Sequence, residues 1–333
     1  MHNHFISCDW GTSSFRLRLV DTASGHVLHE VVSSSGIAAI YQAYLQYATE
    51  KQSYQQERHI FYMQFVRDQL QILGRQSSFP IQGLPVIISG MASSSIGMLE
   101  LPYASLPFSL NGLDTVVHKI SAQADFPHDI LLISGLKSTQ DVMRGEETQI
   151  IGLAANSALG NAICIFPGTH SKHIFVADGC ITGFRTYMTG ELFQTLANHT
   201  ILQASVEKSN TDENDPLMMK WYRQGVKAGI ELGNILHALF TVRTGQLFKE
   251  RTKQENYFYL SGLLIGYELK DLAKQPPASL YLCSSSHLLT YYQAAAEVLH
   301  LTGDLTVISG DLIDHTAVAG QRQLWYRHTS QTL

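Results

Sequence analysis

The chain of 333 residues has no apolar run near the ~18 residues that a membrane-crossing helix needs. Its opening, Met1-His-Asn-His-Phe-Ile-Ser-Cys-Asp9, has neither the basic start nor the long apolar core of a secretory leader. Positive charge is also short: 23 Lys and Arg face 28 Asp and Glu, for a net charge of -5 and a pI near 6.3. That balance removes the broad electrostatic reason to expect nucleic acid as a partner. The four cysteines (Cys8, Cys164, Cys180 and Cys283) are scattered, which excludes a disulfide framework and paired zinc spacing. His170 and His173 straddle a turn and do not make a zinc pair. Charged residues make up only 15% of the chain against 45% apolar, with a mean hydropathy of -0.01, so large buried cores are expected and disorder is not. At ~150 residues per domain the length suggests two domains, and the whole reads as a reduced, cytoplasmic α/β protein without a membrane partner.

What is present is organised twice over. Phe5–Cys8 reads as a strand ending at Asp9, Trp10–Ser14 as a tight turn, Phe15–Val20 as an alternating second strand and His26–Val32 as a third. Ile60–Leu73 has helical spacing with Gly74 as a stop. Two buried strands, Pro85–Ile88 and Asp129–Ile133, run into Ser-Gly turns, the mark of an α/β sheet whose strand ends receive ligands. The plan then recurs. Ala162–Phe166 is a strand, Pro167–Ser171 a turn, and Lys172–Ala177 and Cys180–Thr186 are strands joined by the Asp178-Gly179 hairpin. The two turns stand 157 residues apart, Gly11 to Gly168, and a boundary near residue 150 divides the halves into 1–150 and 151–333. Helices are expected from Pro216, over Ser286–Leu299 and after Gly310, with strands at Ser279–Cys283 and Asp304–Ile308. The polar stretch Ser205–Asp215 reads as a mobile loop. Asp215-Pro216 is a helix start, and Gly225, Gly229 and Gly233 on its face suit close helix packing.

The chemistry concentrates in the turns. In Asp9-Trp-Gly11-Thr12-Ser13 a glycine and two hydroxyl residues let backbone N–H groups approach a phosphate, while the carboxylate can hold Mg²⁺. The plain alternative is a hairpin turn in which Asp9 satisfies local N–H groups. A second such turn, Gly168-Thr169-His-Ser171-Lys172, favours a phosphate role for both, as two cradles for one ATP. Thr189-Gly190-Glu191 precedes an apolar run and marks a helix start that either caps itself or binds substrate by receiving an anion such as a carboxylate. The loop Gly90-Met91-Ala92-Ser93 and the segment Glu100–Tyr103 suit hydroxyl recognition, or are connections.

Several strings resemble the 2-dehydro-3-deoxygalactonokinase family, within the actin, Hsp70 and sugar-kinase superfamily. They are Asp9–Arg16, Ser89–Ser93, Glu100–Tyr103, Asp141–Gln149, Phe166–Lys172, Met188–Leu192 and Tyr259–Gly266. The resemblance implies two ribonuclease-H-like domains around a central ATP and substrate cleft. The first would carry the first phosphate turn and the sugar-acid site, and the second the other turn and the adenosine site. It implies transfer of the ATP γ-phosphate to the C6 hydroxyl of 2-dehydro-3-deoxy-D-galactonate, with Mg²⁺ at Asp9. Asp141 is the implied base, with an N-cap as its alternative, and Glu146 is the reserve. Arg16 would meet the transferring phosphate or form a salt bridge within the sheet, and Lys172 would meet phosphate or lie on an exposed turn; Arg144 would neutralise substrate or phosphate charge, or pair at the surface. At the adenosine approach the family's glycine is absent: Ser284-Ser285 follow Cys283, and a Ser261-Gly262 turn is the alternative. The fold also serves regulators and nucleotide-driven binding modules. An acidic chain with no DNA-binding segment before Met1 argues against the first, and Asp9, Asp141 and the two turns against the second. A kinase of another sugar or sugar acid stays the rival, and the oligomeric state, a homodimer included, stays open.

Overall fold

The computed structural model describes residues 2–51, 58–157, 159–208, 215–274, 279–284, 288–303 and 305–330. The chain divides into two compact units, and it passes between them more than once. The first holds Met1–Leu159, Gly179–Thr182 and Asp314–Leu333; the second holds Gly160–Asp178 and Gly183–Ile313.

In the first unit the meander read from the sequence forms as β1 (His4–Trp10), β2 (Phe15–Asp21) and β3 (Val27–Ser33). Helices α1 (Ile37–Lys51) and α2 (Arg58–Gln76) follow, then β4 (Val86–Gly90). Short pieces β5 (Ala104–Ser105) and β6 (Phe108–Ser109) lead to β7 (Val117–Ile120) and β8 (Ile130–Ile133). The hairpin β9 (Leu136–Lys137) and β10 (Val142–Met143) then feeds α3 (Glu146–Asn156). The sheet order is β3-β2-β1-β4-β8-β7, with β1, β4 and β8 parallel. Alternate residues of β1 (Ile6, Cys8, Trp10) join Tyr44 of α1 and Tyr62, Val66 and Leu70 of α2 in one core. Phe5 points the other way and stacks on Trp325 at 5.7 Å. Helix α2 runs past Gly74, which the sequence reading took for a stop. The glycine sits beside Ile81, at a point where the helix packs inward, and ends nothing.

The second unit repeats the opening with β11 (Ala162–Phe166), β12 (Ser171–Ala177) and β13 (Cys180–Tyr187). Asp178 and Gly179 both take positive φ, 50° and 72°, at the tight hairpin between β12 and β13. Cys180 and Ile181, which count with the first unit, pair with Ser109 and Phe108 of β6. Then come α4 (Thr189–His199), α5 (Pro216–Glu231), α6 (Ile235–Leu247), α7 (Lys253–Lys274), β14 (Leu280–Cys283), α8 (Leu288–Val298), β15 (Leu305–Ile308) and α9 (Gly310–Ser330). Strands β15-β14-β11 run parallel, ahead of β12 and β13.

The α5 start is as read: Asp215 accepts from the Leu217 and Met218 amides, with Pro216 at the first turn. Gly225 and Gly229 do face a close helix partner; a Cβ there would stand 2.1 Å from the Tyr259 carbonyl oxygen and 2.4 Å from that of Leu263. Gly262 and Gly266 return the contact from α7, so the Ser261-Gly262 pair is mid-helix packing and not a turn. Gly233 lies beyond the helix with φ 65° and open space around it. Of the expected mobile loop, 209–214 lie outside the described residues, while Ser205 is fully buried, with its hydroxyl accepting from Arg243 and its carbonyl from Asn256.

Candidate active site

In the first unit, β1 ends where three glycines let backbones touch. Gly90 takes φ 93°, and a Cβ on it would lie 2.6 Å from the Trp10 carbonyl oxygen. Gly145, at φ 106°, lies against Gly90 in turn, with 3.4 Å from its would-be Cβ to the Gly90 Cα. The third, Gly36, leaves no room for a side chain over the first turn, 2.3 Å from the Thr12 oxygen. Amides at the α1 start donate to the Gly11 and Thr12 carbonyls, at 3.0 and 3.1 Å, and Thr12 and Ser13 stay exposed. The stacking of Gly145 on Gly90 brings the start of α3, Glu146, beside the end of β1, Asp9.

Asp9 pairs across the ladder with Arg16. Arg16 Nη1 lies 3.8 Å from Asp9 Oδ2 and 3.5 Å from Asp314 Oδ1. Side-chain exposures of 23% for Asp9 and 30% for Arg16 leave both reachable by a ligand. Arg18, buried behind them, bonds Glu30 at 2.6 Å and reaches Asp314 at 3.5 Å. Burial pushes the Asp9 carboxyl above its ordinary 3.8, the charges of Asp314 and Glu146 push the same way, and Arg16 and Arg18 oppose them. Helix α9 is fixed here by glycine contacts, Gly152 on the Thr316 carbonyl and Gly320 on that of Thr148. Gln321 Nε2 donates to the Cys8 oxygen at 2.9 Å and to Ser89 Oγ at 2.8 Å.

Asp141 closes the β9–β10 hairpin; its backbone oxygen accepts from the Ser138 amide and its carboxylate from the Val142 amide, at 2.9 and 2.8 Å. It does not cap α3, whose N-cap is Gly145, because the three residues between Asp141 and that glycine include β10. Glu147, fully buried, accepts from the Gly145 amide and from Thr148. Burial, with the Glu146 charge second, pushes its carboxyl up to about 8.

Two of the predicted sugar-acid residues, Ser93 and Tyr103, meet Arg144. Its Nη1 donates to Ser93 Oγ at 2.7 Å and its Nη2 to the Leu101 oxygen at 3.4 Å, and its guanidinium lies 4.0 Å from the Tyr103 ring centroid. It is no surface ion pair; its Nε is buried with no hydrogen-bond partner. Met91, Ala92 and Ser93 form a 3₁₀ turn with Ala92 and Ser93 buried, and Glu100 is exposed.

In the second unit Gly168, Thr169 and His170 form the second turn, and the start of α4 lies on it. A Cβ on Gly190 would stand 2.6 Å from the Gly168 oxygen, and the Glu191 amide donates to the Thr169 oxygen at 3.0 Å. The Glu191 carboxylate pairs with His170. Thr189 does not cap the helix; its hydroxyl donates to Glu268, as does that of Ser171 at 2.7 Å. Lys172 is buried, its Nζ donating to the His170 oxygen at 3.3 Å. Ser284 follows β14 and is buried, and Ser285 lies outside the described residues.

Sequence reasoning missed Asp314, Gly36 and Glu268. Asp314 and Glu268 sit inside helical stretches far along the chain from their partners, and nothing local marks them. Gly36, one residue ahead of α1, carried a readable signal as a glycine just before a run of helix formers.

A family model described as 2-keto-3-deoxy-galactonokinase matches residues 9–320. A Rhizobium meliloti protein named probable 2-dehydro-3-deoxygalactonokinase DgoK1 is 32% identical over 300 residues, covering 88% of this chain and 89% of that one. The 2-dehydro-3-deoxygalactonokinase of Escherichia coli is 31% identical over 234 residues, covering 68% and 74%. A crystal structure from Sinorhizobium meliloti bearing the same kinase name superposes with a TM-score of 0.75 at 31% identity, over 96% of this chain and 99% of that one. The Clostridium difficile activator of 2-hydroxyisocaproyl-CoA dehydratase, at 10% identity and a TM-score of 0.51 over 99% and 98%, shares the fold alone.

Proposed function

The chain belongs to the 2-keto-3-deoxy-galactonokinase family, and from that premise we propose that it phosphorylates the C6 hydroxyl of 2-dehydro-3-deoxy-D-galactonate with ATP. The observation that carries the chemistry is the grouping of Asp9, Arg16 and Glu146 at the end of β1. Phosphoryl transfer needs a base or orienting group for the attacking hydroxyl, and cations for the charge that builds on the phosphoryl oxygens. Glu146 takes the first role: it opens α3 beside Asp9, where an incoming hydroxyl and a phosphate would meet. Asp141, the first choice on sequence, is engaged at the hairpin and moves to second. Arg16 supplies a cation, and the turns at Gly11–Ser13 and Gly168–Lys172 hold phosphate oxygens.

Mg²⁺ fits Asp9. Burial holds the carboxyl above its ordinary value although Arg16 and Arg18 outweigh Asp314 and Glu146, and a divalent cation beside it would favour the charged form. When bound, the ion would neutralise phosphate charge. Arg144, with Ser93 and Tyr103, holds the sugar acid, its guanidinium charge suited to the substrate carboxylate. Ser284 and Ser285 serve the adenosine end.

The test is ADP release with 2-dehydro-3-deoxy-D-galactonate, its epimers, aldonates and neutral sugars, with the product's phosphate position read by NMR. Turnover with the keto-deoxy acid and a 6-phosphate product is expected. Turnover only with neutral sugars rejects the substrate, and nucleotide-dependent ligand binding with no turnover rejects the kinase.

A further inference from the structure

We propose that Glu268 is a positioning residue for the nucleotide phosphates, holding the second glycine turn and the start of α4 in a single geometry from beneath. This rests on the reading above in one respect, that the turn at Pro167–His170 receives a nucleotide.

Glu268 lies on α7 with 1% of its side chain exposed, and no motif in the sequence points to it. Its Oε1 accepts from Ser171 Oγ at 2.7 Å and faces His173 Nε2 at 2.9 Å. Its Oε2 accepts from Thr189 Oγ1 at 2.5 Å and from the Tyr292 hydroxyl at 2.7 Å. A carboxylate has about four acceptor sites, and these four partners fill them. The partners come from three separate elements. Ser171 is the first residue after the turn, and His173 is on the same face of β12, its ring also packed on Tyr187 at 4.5 Å. Thr189 opens α4, and the next residue, Gly190, is the one pressed against Gly168 and Thr169. Tyr292 comes from α8.

The carboxylate therefore ties the exit of the turn to the helix start that lies on the turn. A buried charge is a poor way to gain stability, since apolar side chains of similar volume usually do as well. What a fully engaged carboxylate adds is direction: each hydroxyl is held in one rotamer, and the backbone bearing it is fixed. Fixed backbone is what a phosphate cradle needs, because small misplacements far from the reacting atoms are costly to rate.

The experiment uses the full chain with Glu268→Gln, Thr189→Val and Thr189→Ser. The readouts are calorimetric affinity for Mg-ADP, KM for ATP, KM for 2-dehydro-3-deoxy-D-galactonate, and Tm. Glu268→Gln and Thr189→Val are expected to weaken Mg-ADP binding by about ten- to a hundredfold, with the KM for ATP rising alongside. The KM for the sugar acid stays put, and Thr189→Ser, which restores the hydroxyl, restores nucleotide affinity. A residue that only held the fold together would lower Tm and leave both constants alone. Unchanged nucleotide affinity in Glu268→Gln and Thr189→Val, or equal worsening for both substrates, overturns the proposal. If Glu268→Gln does not fold, Thr189→Val decides alone. Wild-type protein that binds Mg-ADP without phosphorylating the sugar acid rejects the substrate reading, and the variants' affinities still judge Glu268. Wild-type protein that binds no nucleotide rejects both.

Discussion

The two glycine turns are built alike and furnished differently. Each follows a short buried strand, joins it to an antiparallel partner, and is closed over by a glycine from elsewhere, Gly36 on Thr12 in the first and Gly190 on Gly168 in the second. Behind the first stand Asp9, Arg16, Glu146 and Asp314, partly exposed or within electrostatic reach of a ligand. Behind the second is a buried carboxylate, Glu268, whose acceptor sites are taken by protein partners. A hairpin and a glycine make a place for phosphate; whether the charges behind it are open to a ligand decides whether chemistry happens there. On this comparison the first turn reacts and the second holds.

The sharpest way to break the comparison is to remove the base from the first turn. Glu146→Gln keeps size and helix position but cannot take a proton, and general-base catalysis is worth about 10²–10⁴-fold. Phosphoryl transfer is largely dissociative and asks little early deprotonation, so kcat is expected to fall within the lower half of that range with both KM values nearly unchanged. Asp141→Asn, at the hairpin, should leave kcat close to normal. If the two variants exchange these behaviours in steady-state kinetics, Asp141 is the base.

Next comes the ion. Asp9→Ala should weaken Mg-ATP binding by about ten- to a hundredfold, the scale seen when a metal's supporting groups are lost, while sugar-acid affinity stays. Equal loss of both in calorimetry, with an unchanged circular dichroism spectrum, sinks the assignment. The pH dependence has a definite sign. Burial raises the Asp9 pKa above 3.8, so its ionised form is lost earlier as pH falls. Mg-ATP affinity should therefore begin to drop at a pH above the ordinary carboxylate range, and Asp9→Asn should flatten that limb.

The turns themselves were legible because their signals are local. Asp9-Trp-Gly-Thr-Ser and Pro167-Gly-Thr-His-Ser are short, each lies between alternating strands, and all six strands around them formed within two residues of their expected bounds. The α3 start was harder. Ile150, Ile151 and Leu153 announced the helix, but the two-residue strand β10 between Asp141 and Gly145 gave no pattern, so the distance from Asp141 to the helix was misjudged. Helix α1 passed unread, since Tyr41, Tyr44 and Tyr47 recur at helical spacing yet read as readily as strand formers. Gly74 and Gly262 were given turn roles that glycine often has, whereas both lie inside helices, and at Gly262 the approach of the α5 backbone explains the residue. Asp314 and Glu268 act over long stretches of chain. Their partners, Arg16 and Ser171, could not be matched to them without the fold.

A smaller effect sharpens the contrast in how the turns are closed. A methyl on Gly190 would meet backbone, 2.6 Å from the Gly168 oxygen and 2.8 Å from the Thr169 Cα, so α4 must move off the turn. A methyl on Gly11 would meet the Ser14 hydroxyl at 3.4 Å, which can rotate away, and the Ser14 carbonyl oxygen at 3.6 Å, an ordinary contact. Gly190→Ala should raise the KM for ATP by about tenfold, and Gly11→Ala should raise it less in the same assay. The reverse order would mean that Gly11 is kept for close approach by a ligand and that α4 is not part of the cradle.

The smallest expected effect on turnover belongs to Glu147, and its signature is in stability. Its carboxyl is buried beside Glu146 and titrates near 8, against an ordinary 4.5. A carboxyl whose pKa is raised by folding holds its proton better in the native state than in the unfolded chain. The native state is therefore unpenalised at low pH, and stability is lost as pH rises from about 4.5 through about 8. Glu147→Gln keeps an oxygen to accept from the Gly145 amide, which donates to the Glu147 carboxyl at 2.8 Å, and removes the titration. Unfolding by urea at a series of pH values should show the wild type losing a few kcal/mol across that interval and the variant losing much less, the two converging in acid. Because the side chain is turned to the Gly145 amide and Thr148, kcat at neutral pH should hardly change. Parallel stability profiles would show that Glu147 is ionised at neutral pH, with the Gly145 amide sufficient to keep its charge buried.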